Sequence, residues 1–221
     1  MVDAADAHVL AVLTRAPSSG GKSRLFAELG CPPDPRLLEA LLLDTIAHAA
    51  SPGVQQVVAV TPASACDEIS KLVREVDVIP QVEGDLGERM RAVMALLFER
   101  GARAVALVGS DLPHITPAAV AEAFDALASD PDVLVLGPAT DGGYYLVAAT
   151  RIPDVFTGIE WGSARVLQQT RDAAVERGFH VRLLPTMSDV DTADDLRRVC
   201  VGDAAPLRTT AWLRNVQDLL T

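Results

Sequence analysis

The chain has 221 residues, of which 19 are basic and 30 acidic, so its formal net charge at pH 7 is −11. A chain this acidic lacks the basic surface of a general nucleic-acid binder, although a local basic pocket for one polyphosphate remains allowed. The length suits one α/β domain with a full-sized core, because such domains often run to about 200–250 residues. We therefore predict a single domain over residues 1–221, with its core at about 8–200.

The sequence favours neither a membrane protein nor a secreted one. Its longest apolar runs, such as residues 92–98 and 144–149, are far shorter than the roughly 20 residues that span a bilayer. The first residues are acidic, whereas a signal peptide opens with a positive region. The cysteines are scattered and form no C-x-x-C pair, so neither a disulfide framework nor a zinc knuckle is indicated. We expect a cytoplasmic protein without membrane or nucleic-acid partners, and the sequence leaves open whether it forms a homodimer.

Short apolar runs alternate with longer amphipathic stretches through the first part of the chain. The runs have the aliphatic and β-branched character of strands buried on both faces, and they cover residues 8–14, 54–61, 104–108 and 132–137. Helical periodicity lies between them, over residues 35–50, 63–75, 86–100 and 117–129. This alternation predicts an α/β fold with a mostly parallel sheet that is covered by helices.

The pattern changes after Gly137. Residues 142–147 indicate a strand entered through a flexible glycine turn, and a loop containing Trp161 follows it. Beyond the loop we predict a helix over residues 163–178, a strand over 180–184 and a helix over 192–200. Residues 203–221 are predicted to pack back as a terminal helix, with Trp212 and Leu213 as its anchors.

The first predicted strand runs into a loop of small and basic residues. Its cations are Arg15, Lys22 and Arg24, and its small residues include Gly20, Gly21 and Ser23. Small residues let backbone N–H groups approach an anion, and a strand, a glycine loop and a helix start together form a common anion site. The loop follows the carboxyl end of a strand, where open α/β sheets bind ligands. We predict a phosphate-binding loop here, with a solvated surface turn as the alternative.

A second alternative for this loop is the P-loop of ATPases and GTPases. Residues 16–23 differ by one residue from the pattern G-x-x-x-x-G-K-[ST], because Ala16 stands where the first glycine belongs. Pro17 argues against a P-loop, since it removes one backbone donor and fixes φ in a turn that begins at that glycine.

Acidic residues lie at the ends of later predicted strands. Asp111 directly follows a buried strand, Asp141 opens a glycine turn, and Asp189 and Asp191 lie two positions apart near the last strand. Side chains two apart in an extended segment point the same way, so Asp189 and Asp191 are expected to face one cleft. Carboxylates opposite a cationic loop suit Mg²⁺ that bridges protein oxygens and a polyphosphate. Taken singly, Asp111 also suits a turn and Asp191 a helix cap.

Five stretches together carry a resemblance to a known family. They are residues 15–25, the run Gly-Asp-Leu-Gly-Glu-Arg-Met at 84–90, Gly-Ser-Asp-Leu-Pro at 109–113, residues 137–146 with Asp-Gly-Gly-Tyr-Tyr, and Asp-Val-Asp-Thr at 189–192. The set resembles the radical-SAM/selenodomain-associated transferase 1 family of glycosyltransferase-like proteins, domain of unknown function 2064. It is also similar to phospholactate-type guanylyltransferases. The resemblance covers about residues 8–200 and implies the nucleotide-diphospho-sugar transferase (GT-A) fold, a three-layer α/β/α sandwich.

The resemblance also implies roles for individual residues. Lys22 and Arg24 match the phosphate-binding loop, Asp111 the first metal ligand and Asp191 the second, with Asp189 beside it. The turn Asp141-Gly142-Gly143 matches a signature that we place under the acceptor or a second metal. Glu88 and Arg89 are expected to reach the nucleotide or its ribose, with an ordinary helix start as the alternative. Trp161, Gly162 and Ser163 match a further signature, in which the indole either stacks on a base or sugar or serves as a packing anchor.

We therefore predict a transferase that uses Mg²⁺ or Mn²⁺, a nucleotide and a small-molecule acceptor. The sequence slightly favours nucleotidyl transfer from a nucleoside triphosphate, because three phosphates demand more positive charge than two. Sugar transfer from a nucleotide-diphospho-sugar is the alternative, and a catalytically inert nucleotide-binding module is a third possibility. No Ser-His-Asp or Cys-His arrangement is convincing, so we expect catalysis by positioning and charge neutralisation.

Overall fold

The computed structural model describes residues 7–220, with side chains over residues 7–216. The acidic residues 1–6 and the end of the predicted terminal helix at residue 221 lie outside the described part. The strands are β1 (His8–Arg15), β2 (Val54–Thr61), β3 (Asp77–Pro80), β4 (Ala104–Gly109), β5 (Val133–Pro138), β6 (Tyr144–Ala149) and β7 (His180–Leu183). They form one sheet in the order β3-β2-β1-β4-β6-β5-β7.

The direction of the strands brings several strand ends to one edge of the sheet. All described strands run parallel except β6, which pairs antiparallel with both β4 and β5. β1 pairs with β2 on one side and β4 on the other, so the chain reverses its direction of travel across the sheet at this point. Ligands bind at such a switch point, outside the carboxyl ends of the strands. The segments that follow β1 and β4 start there.

Helices cover both faces of the sheet. They are α1 (Ser23–Leu29), α2 (Pro35–His48), α3 (Cys66–Val73), α4 (Leu86–Glu99), α5 (Pro117–Ser129), α6 (Val166–Glu176), α7 (Ala193–Val199) and α8 (Leu207–Leu220). Alternate residues of β1 enter opposite cores, as a strand buried on both faces requires. Leu10 and Val12 pack with residues of α2, α3 and α5, whereas Val9 and Ala11 pack with residues of α4 and α6. The result is a three-layer α/β/α sandwich.

A third apolar cluster ties the two ends of the described chain together. It joins α1 and α2 to α7 and α8, and it contains Phe26, Val190, Trp212 and Leu213. The rings of Phe26 and Trp212 meet edge to face, with their centroids 6.1 Å apart. The buried carboxylate of Asp44 in α2 accepts hydrogen bonds from the Thr209 backbone and hydroxyl and from Arg208, which fixes the start of α8. Both predicted anchors of the terminal helix are therefore buried.

The sequence-based fold class is confirmed, with three local differences. β3 was not predicted, because it has only four residues, including Asp77 and Pro80. The predicted helix over residues 63–75 is a 3₁₀ turn at Ala63–Ala65 followed by α3. The predicted terminal helix begins at Leu207 rather than at residue 203. In the part of the chain that the structure describes, no helix is both long and apolar enough to cross a membrane.

Candidate active site

A cleft of about 770 Å³ opens at the switch point of the sheet. This volume falls within the range of ~300–1,000 Å³ that is typical of small-molecule sites. Its floor includes Leu13 and Thr14 of β1 and Leu107 and Val108 of β4. The predicted site residues that line it are Arg15, Gly20, Gly21, Lys22, Ser23, Arg24, Asp111, Asp141, Gly143, Asp189 and Asp191. The cationic loop and the aspartates thus share one cleft.

The loop after β1 has an unusual backbone. Gly20, Gly21 and Lys22 have φ values of 71°, 149° and 53°, so three consecutive residues lie on the positive side. Glycine tolerates this region, but a lysine there is uncommon and costs backbone energy. Lys22 is the N-cap of α1 and follows the short 3₁₀ turn Pro17–Ser19. The strained residue is therefore the one whose side chain reaches the aspartates.

The Lys22 ammonium bridges two of the predicted metal ligands. Its Nζ lies 2.6 Å from Asp111 Oδ2 and 2.5 Å from Asp191 Oδ1, and only 15% of the lysine side chain is exposed. Burial alone would lower the pKa of Lys22, but the charges of Asp111 and Asp191 and their hydrogen bonds outweigh it and raise the pKa. Lys22 is therefore charged at neutral pH and acts as the counterion of both carboxylates.

Backbone contacts hold the two aspartates in register. The Val190 N–H donates to the Asp111 carbonyl at 3.0 Å, so the segment carrying Asp189 and Asp191 is tied directly to the turn after β4. Gly109 leaves the space that the Asp111 carboxylate occupies, because a Cβ at position 109 would lie 2.7 Å from Asp111 Oδ1. Thr192 and Asp195 form a capping box at the start of α7. The helix cap is thus formed without the Asp191 side chain, which points to Lys22.

Asp189 lies among negative charges inside the cleft. Burial is the main cause that raises the pKa of its carboxyl well above the ordinary value, and the charges of Asp111, Asp191 and Asp141 add to it, against the opposing effect of Lys22. Both Asp189 and Asp191 line the cleft, as the spacing of two residues predicted. The four aspartates therefore form one electrostatic group.

The turn Asp141-Gly142-Gly143 contacts the loop that contains the second signature, residues 161–163. Gly142 has φ of 92°, and a Cβ there would lie 2.3 Å from the Ala164 carbonyl oxygen and 2.6 Å from Ala164 Cα. The Leu167 N–H donates to the Gly142 carbonyl at 2.9 Å, and the Gly143 N–H donates to Asp141 Oδ1 at 2.9 Å. Gly142 itself does not line the cleft; it lets the loop of Trp161 and Ser163 approach the turn of Asp141.

This close contact gives a prediction for stability. We expect Gly142→Ala to lower the melting temperature by roughly 5–10 °C, because strain at positive φ and overpacking against Ala164 together cost about 2–4 kcal/mol. Gly158→Ala is the matched control, since Gly158 has φ of 77° but no atom within 4 Å of an added Cβ. Differential scanning calorimetry of both variants measures the difference. Equal shifts would contradict the packing argument.

The remaining predicted residues lie in different surroundings. Arg15 is exposed at the end of β1, and Arg24 forms a surface ion pair with Glu28, whose other carboxylate oxygen accepts from the Ala193 N–H. Glu88 accepts from the Asp85 N–H in a capping box at the start of α4. Neither Glu88 nor Arg89 is among the residues lining the cleft, so the structure gives Glu88 the ordinary helix-start role, and nucleotide contact by either residue stays a prediction.

One wall of the cleft is apolar, and the sequence analysis singled out only Trp161 among its residues. Leu86 and Met90 of α4 form it together with Tyr144 of β6 and Trp161. The Tyr144 and Trp161 rings meet edge to face with their centroids 6.4 Å apart. Gly87 makes room for the indole, because a Cβ at position 87 would lie 2.9 Å from Trp161 Cζ2. The Gly-Asp-Leu-Gly run at 84–87 was the sequence signal for this wall. Leu86 and Met90, however, lie in an amphipathic helix, where leucine and methionine are expected in the core.

The donor set at the cleft fits a divalent cation that is completed by a substrate. Over residues 7–216, no group of three or more His, Cys, Asp or Glu side chains is arranged to hold a metal ion. Asp111 and Asp191, however, converge on a single positive charge at 2.5–2.6 Å. Mg²⁺ is usually held by one or two carboxylates together with substrate phosphates and water. The two oxygen ligands therefore suit Mg²⁺ or Mn²⁺ in the presence of a phosphate.

Solved structures share this fold along nearly the whole chain. A candidate nucleotide-diphospho-sugar transferase from Desulfovibrio desulfuricans G20 is 28% identical, with a TM-score of 0.83 over 99% of this chain and 97% of that chain. A cytidylyltransferase from Leptospira borgpetersenii is 14% identical, with a TM-score of 0.56 over 97% and 96%. A CMP:2-keto-3-deoxy-manno-octonic acid synthetase solved with CTP is 16% identical, with a TM-score of 0.53 over 88% and 97%. No curated protein matches the sequence significantly.

The fold and the charged cleft at its switch point define a transferase of the nucleotide-diphospho-sugar transferase superfamily. Within it, residues 43–163 match the family described as "Uncharacterized protein conserved in bacteria (DUF2064)". The chain belongs to this family, as its motifs indicated. The P-loop alternative for residues 16–23 is accordingly not supported.

Proposed function

We propose that the cleft binds a nucleoside triphosphate with Mg²⁺ or Mn²⁺ and transfers the nucleotidyl group to a small acceptor, releasing pyrophosphate. The observation that carries the proposal is the Lys22 bridge between Asp111 and Asp191, because it brings a phosphate-loop cation and two carboxylates to one point. The likeness of the fold to a cytidylyltransferase and to a synthetase solved with CTP supports this reaction class.

In this proposal Asp111 and Asp191 hold the metal ion. A bound ion of this kind neutralises phosphate charge and aligns the reacting phosphoryl group. Lys22 has to turn from the carboxylates to the phosphates when the metal binds. The Lys22 ammonium beside Asp111 and Asp191 is then replaced by the metal ion, so the aspartates stay neutralised. Arg15 and Arg24 add positive charge at the mouth of the same cleft. The acceptor attacks directly, since charge neutralisation and positioning require no protein nucleophile.

Gly109 provides a test of the carboxylate geometry. We expect Gly109→Ala to weaken Mn²⁺ binding in the presence of nucleotide by about tenfold, because the added Cβ displaces the Asp111 carboxylate, and changes around a metal ligand typically cost 10–100-fold. The melting temperature should change little, since the displaced atom is the end of a side chain. Electron paramagnetic resonance of free Mn²⁺ measures the affinity. Unchanged affinity would argue against Asp111 as a ligand.

Sugar transfer is the second candidate. The specific observation that favours it is the 28% identity to the Desulfovibrio desulfuricans G20 protein, which is described as a candidate nucleotide-diphospho-sugar transferase. In that reaction Lys22 would stabilise a departing diphosphate instead of a pyrophosphate, and Asp111 and Asp191 would hold the same metal ion. The two reactions therefore require the same residues and differ in the donor.

The deciding experiment supplies both donor classes. The full chain is incubated with Mg²⁺, each nucleoside triphosphate and a panel of small acceptors, and pyrophosphate is measured. Pyrophosphate that depends on an acceptor supports nucleotidyl transfer. Turnover of a nucleotide-diphospho-sugar without any pyrophosphate reverses the order of the two candidates. If calorimetry shows that the affinity for nucleotide is the same with and without the metal, the protein is instead an inert binding module.

A further inference from the structure

Positive charge is confined to one side of the cleft. Among its described lining residues, the cationic side chains all belong to β1 and the start of α1, namely Arg15, Lys22 and Arg24. The acidic lining residues Asp111, Asp141, Asp189 and Asp191 come from the segments that follow β4, β5 and β7. A polyphosphate held by the three cations leaves no lining cation for a second anionic group.

The wall formed by Leu86, Met90, Tyr144 and Trp161 presents carbon atoms to the cleft. The Tyr144 hydroxyl and the Trp161 Nε1 are both buried, although both residues line the cleft, so what they expose is ring surface. Trp161 Nε1 has no hydrogen-bond partner within the described residues, a cost that a wetter orientation would avoid. Leu86 is 47% exposed, and exposed apolar side chains in a cleft mark ligand-binding surface.

We propose that the second substrate of this cleft is an uncharged alcohol with an apolar body, and not a phosphorylated or carboxylated acceptor. The proposal rests on the proposed nucleotidyl transfer and names its acceptor class. With Asp111 and Asp191 assigned to the metal and the three cations to the triphosphate, an anionic acceptor would face Asp141 and Asp189 with no lining side chain as its counterion. An anion brought into the cleft without a paired charge is strongly disfavoured. An alcohol leaves the aspartates to the metal and lays its carbon skeleton against the wall of Leu86 and Trp161.

The group transfer with an alcohol balances without a further reactant. The hydroxyl oxygen forms a bond to the α-phosphorus, and the bond from that phosphorus to the bridging oxygen of the β-phosphate breaks. Pyrophosphate leaves with the electron pair of the broken bond, and the hydroxyl proton passes to water. The product is a neutral skeleton carrying a nucleoside monophosphate through a phosphodiester.

Matched alcohols and phosphate esters test the proposal. Hexanol is compared with hexyl phosphate, and benzyl alcohol with benzyl phosphate, by saturation-transfer NMR on the full chain. The measurement is made with Mg²⁺ and a non-reactive α,β-methylene triphosphate, and again without either. With the nucleotide bound, we expect each alcohol to bind at least about tenfold more tightly than its phosphate ester. Without nucleotide the esters can bind Arg15, Lys22 and Arg24, so only the alcohols are used in that arm. Their binding there reports on the apolar wall even if the protein proves not to use triphosphates, so failure of the acceptor class and failure of the proposed reaction are distinguishable.

A positive charge introduced at the apolar wall provides the variant. Leu86→Lys is expected to shift the preference toward the phosphate ester, since it supplies the cation that this wall lacks. Leu207→Lys is the matched control, because Leu207 is also the first residue of a helix, is 78% exposed and does not line the cleft. Tighter binding of the esters by the unaltered protein, or a preference that Leu86→Lys leaves unchanged, would overturn the proposal.

Discussion

Replacing Asp111 with asparagine is expected to reduce nucleotidyl transfer by about three orders of magnitude, which corresponds to ~4 kcal/mol of barrier. Asparagine keeps the shape of the side chain but removes one of the two negative charges that face Lys22 at 2.5–2.6 Å. Of the two proposed carboxylate ligands of the metal, only Asp191 would then remain. Lys22 would lose one of its two carboxylate partners. Steady-state release of pyrophosphate under saturating nucleotide and metal measures the loss.

The fold should survive this change, which makes the activity loss interpretable. The contact that ties the turn after β4 to the segment between β7 and α7 is made by the Asp111 carbonyl, not by its carboxylate, so the variant keeps it. Asp132→Asn is the matched control, because Asp132 forms an exposed ion pair with Arg151 and does not line the cleft. Comparable activity in both variants would remove Asp111 from the proposed metal site.

The parallel core could be predicted because its sequence pattern is continuous and local. Strands buried on both faces have uninterrupted aliphatic runs, and the run at residues 104–108 predicts β4 (Ala104–Gly109) to within one residue. Asp77–Pro80 lacks such a run, and it becomes a strand only because β2 offers it a neighbour. The order of strands across the sheet, with β6 inserted between β4 and β5, depends on long-range pairing that no local pattern contains.

The charged half of the cleft could be predicted, whereas only Trp161 of the apolar half could. A lysine after two glycines or an aspartate after a buried strand is conspicuous, since charge in such places needs a reason. Leu86 and Met90 are conspicuous only once α4 is seen beside Trp161. For Glu88 the sequence could not choose, because a residue three positions after Asp85 suits both a capping box and a ligand contact. The structure shows the capping box, and the ligand contact stays a prediction.

Lys22 itself is notable in a chain that uses arginine for nearly all its positive charge. Its only other lysine is Lys71, so 17 of the 19 basic residues are arginines. An ammonium is a compact point charge on a flexible stem, whereas a guanidinium is a planar fork. The position between Asp111 and Asp191 accommodates a point charge that binds one oxygen of each. A lysine is also the better residue to move between the carboxylates and a phosphate.

Replacing Lys22 with methionine is therefore expected to have two opposite effects. Nucleotide affinity should fall by about tenfold to a hundredfold, because one charge-assisted contact to the phosphates is lost and is worth ~1.5–3 kcal/mol. Affinity for Mn²⁺ without nucleotide should rise instead, since Asp111 and Asp191 lose the ammonium that occupies them. Calorimetry measures the first effect and electron paramagnetic resonance of free Mn²⁺ the second.

The two effects together separate an exchanging counterion from a purely structural ion pair. Lys71→Met removes the same charge from α3, outside the cleft, and should change neither affinity. Lys22→Arg keeps the charge but not the shape, so it should recover part of the nucleotide affinity without the fit between the two aspartates. A structural ion pair predicts loss of stability in Lys22→Met with no gain in metal affinity, and that result would contradict the exchange of Lys22 for a metal ion.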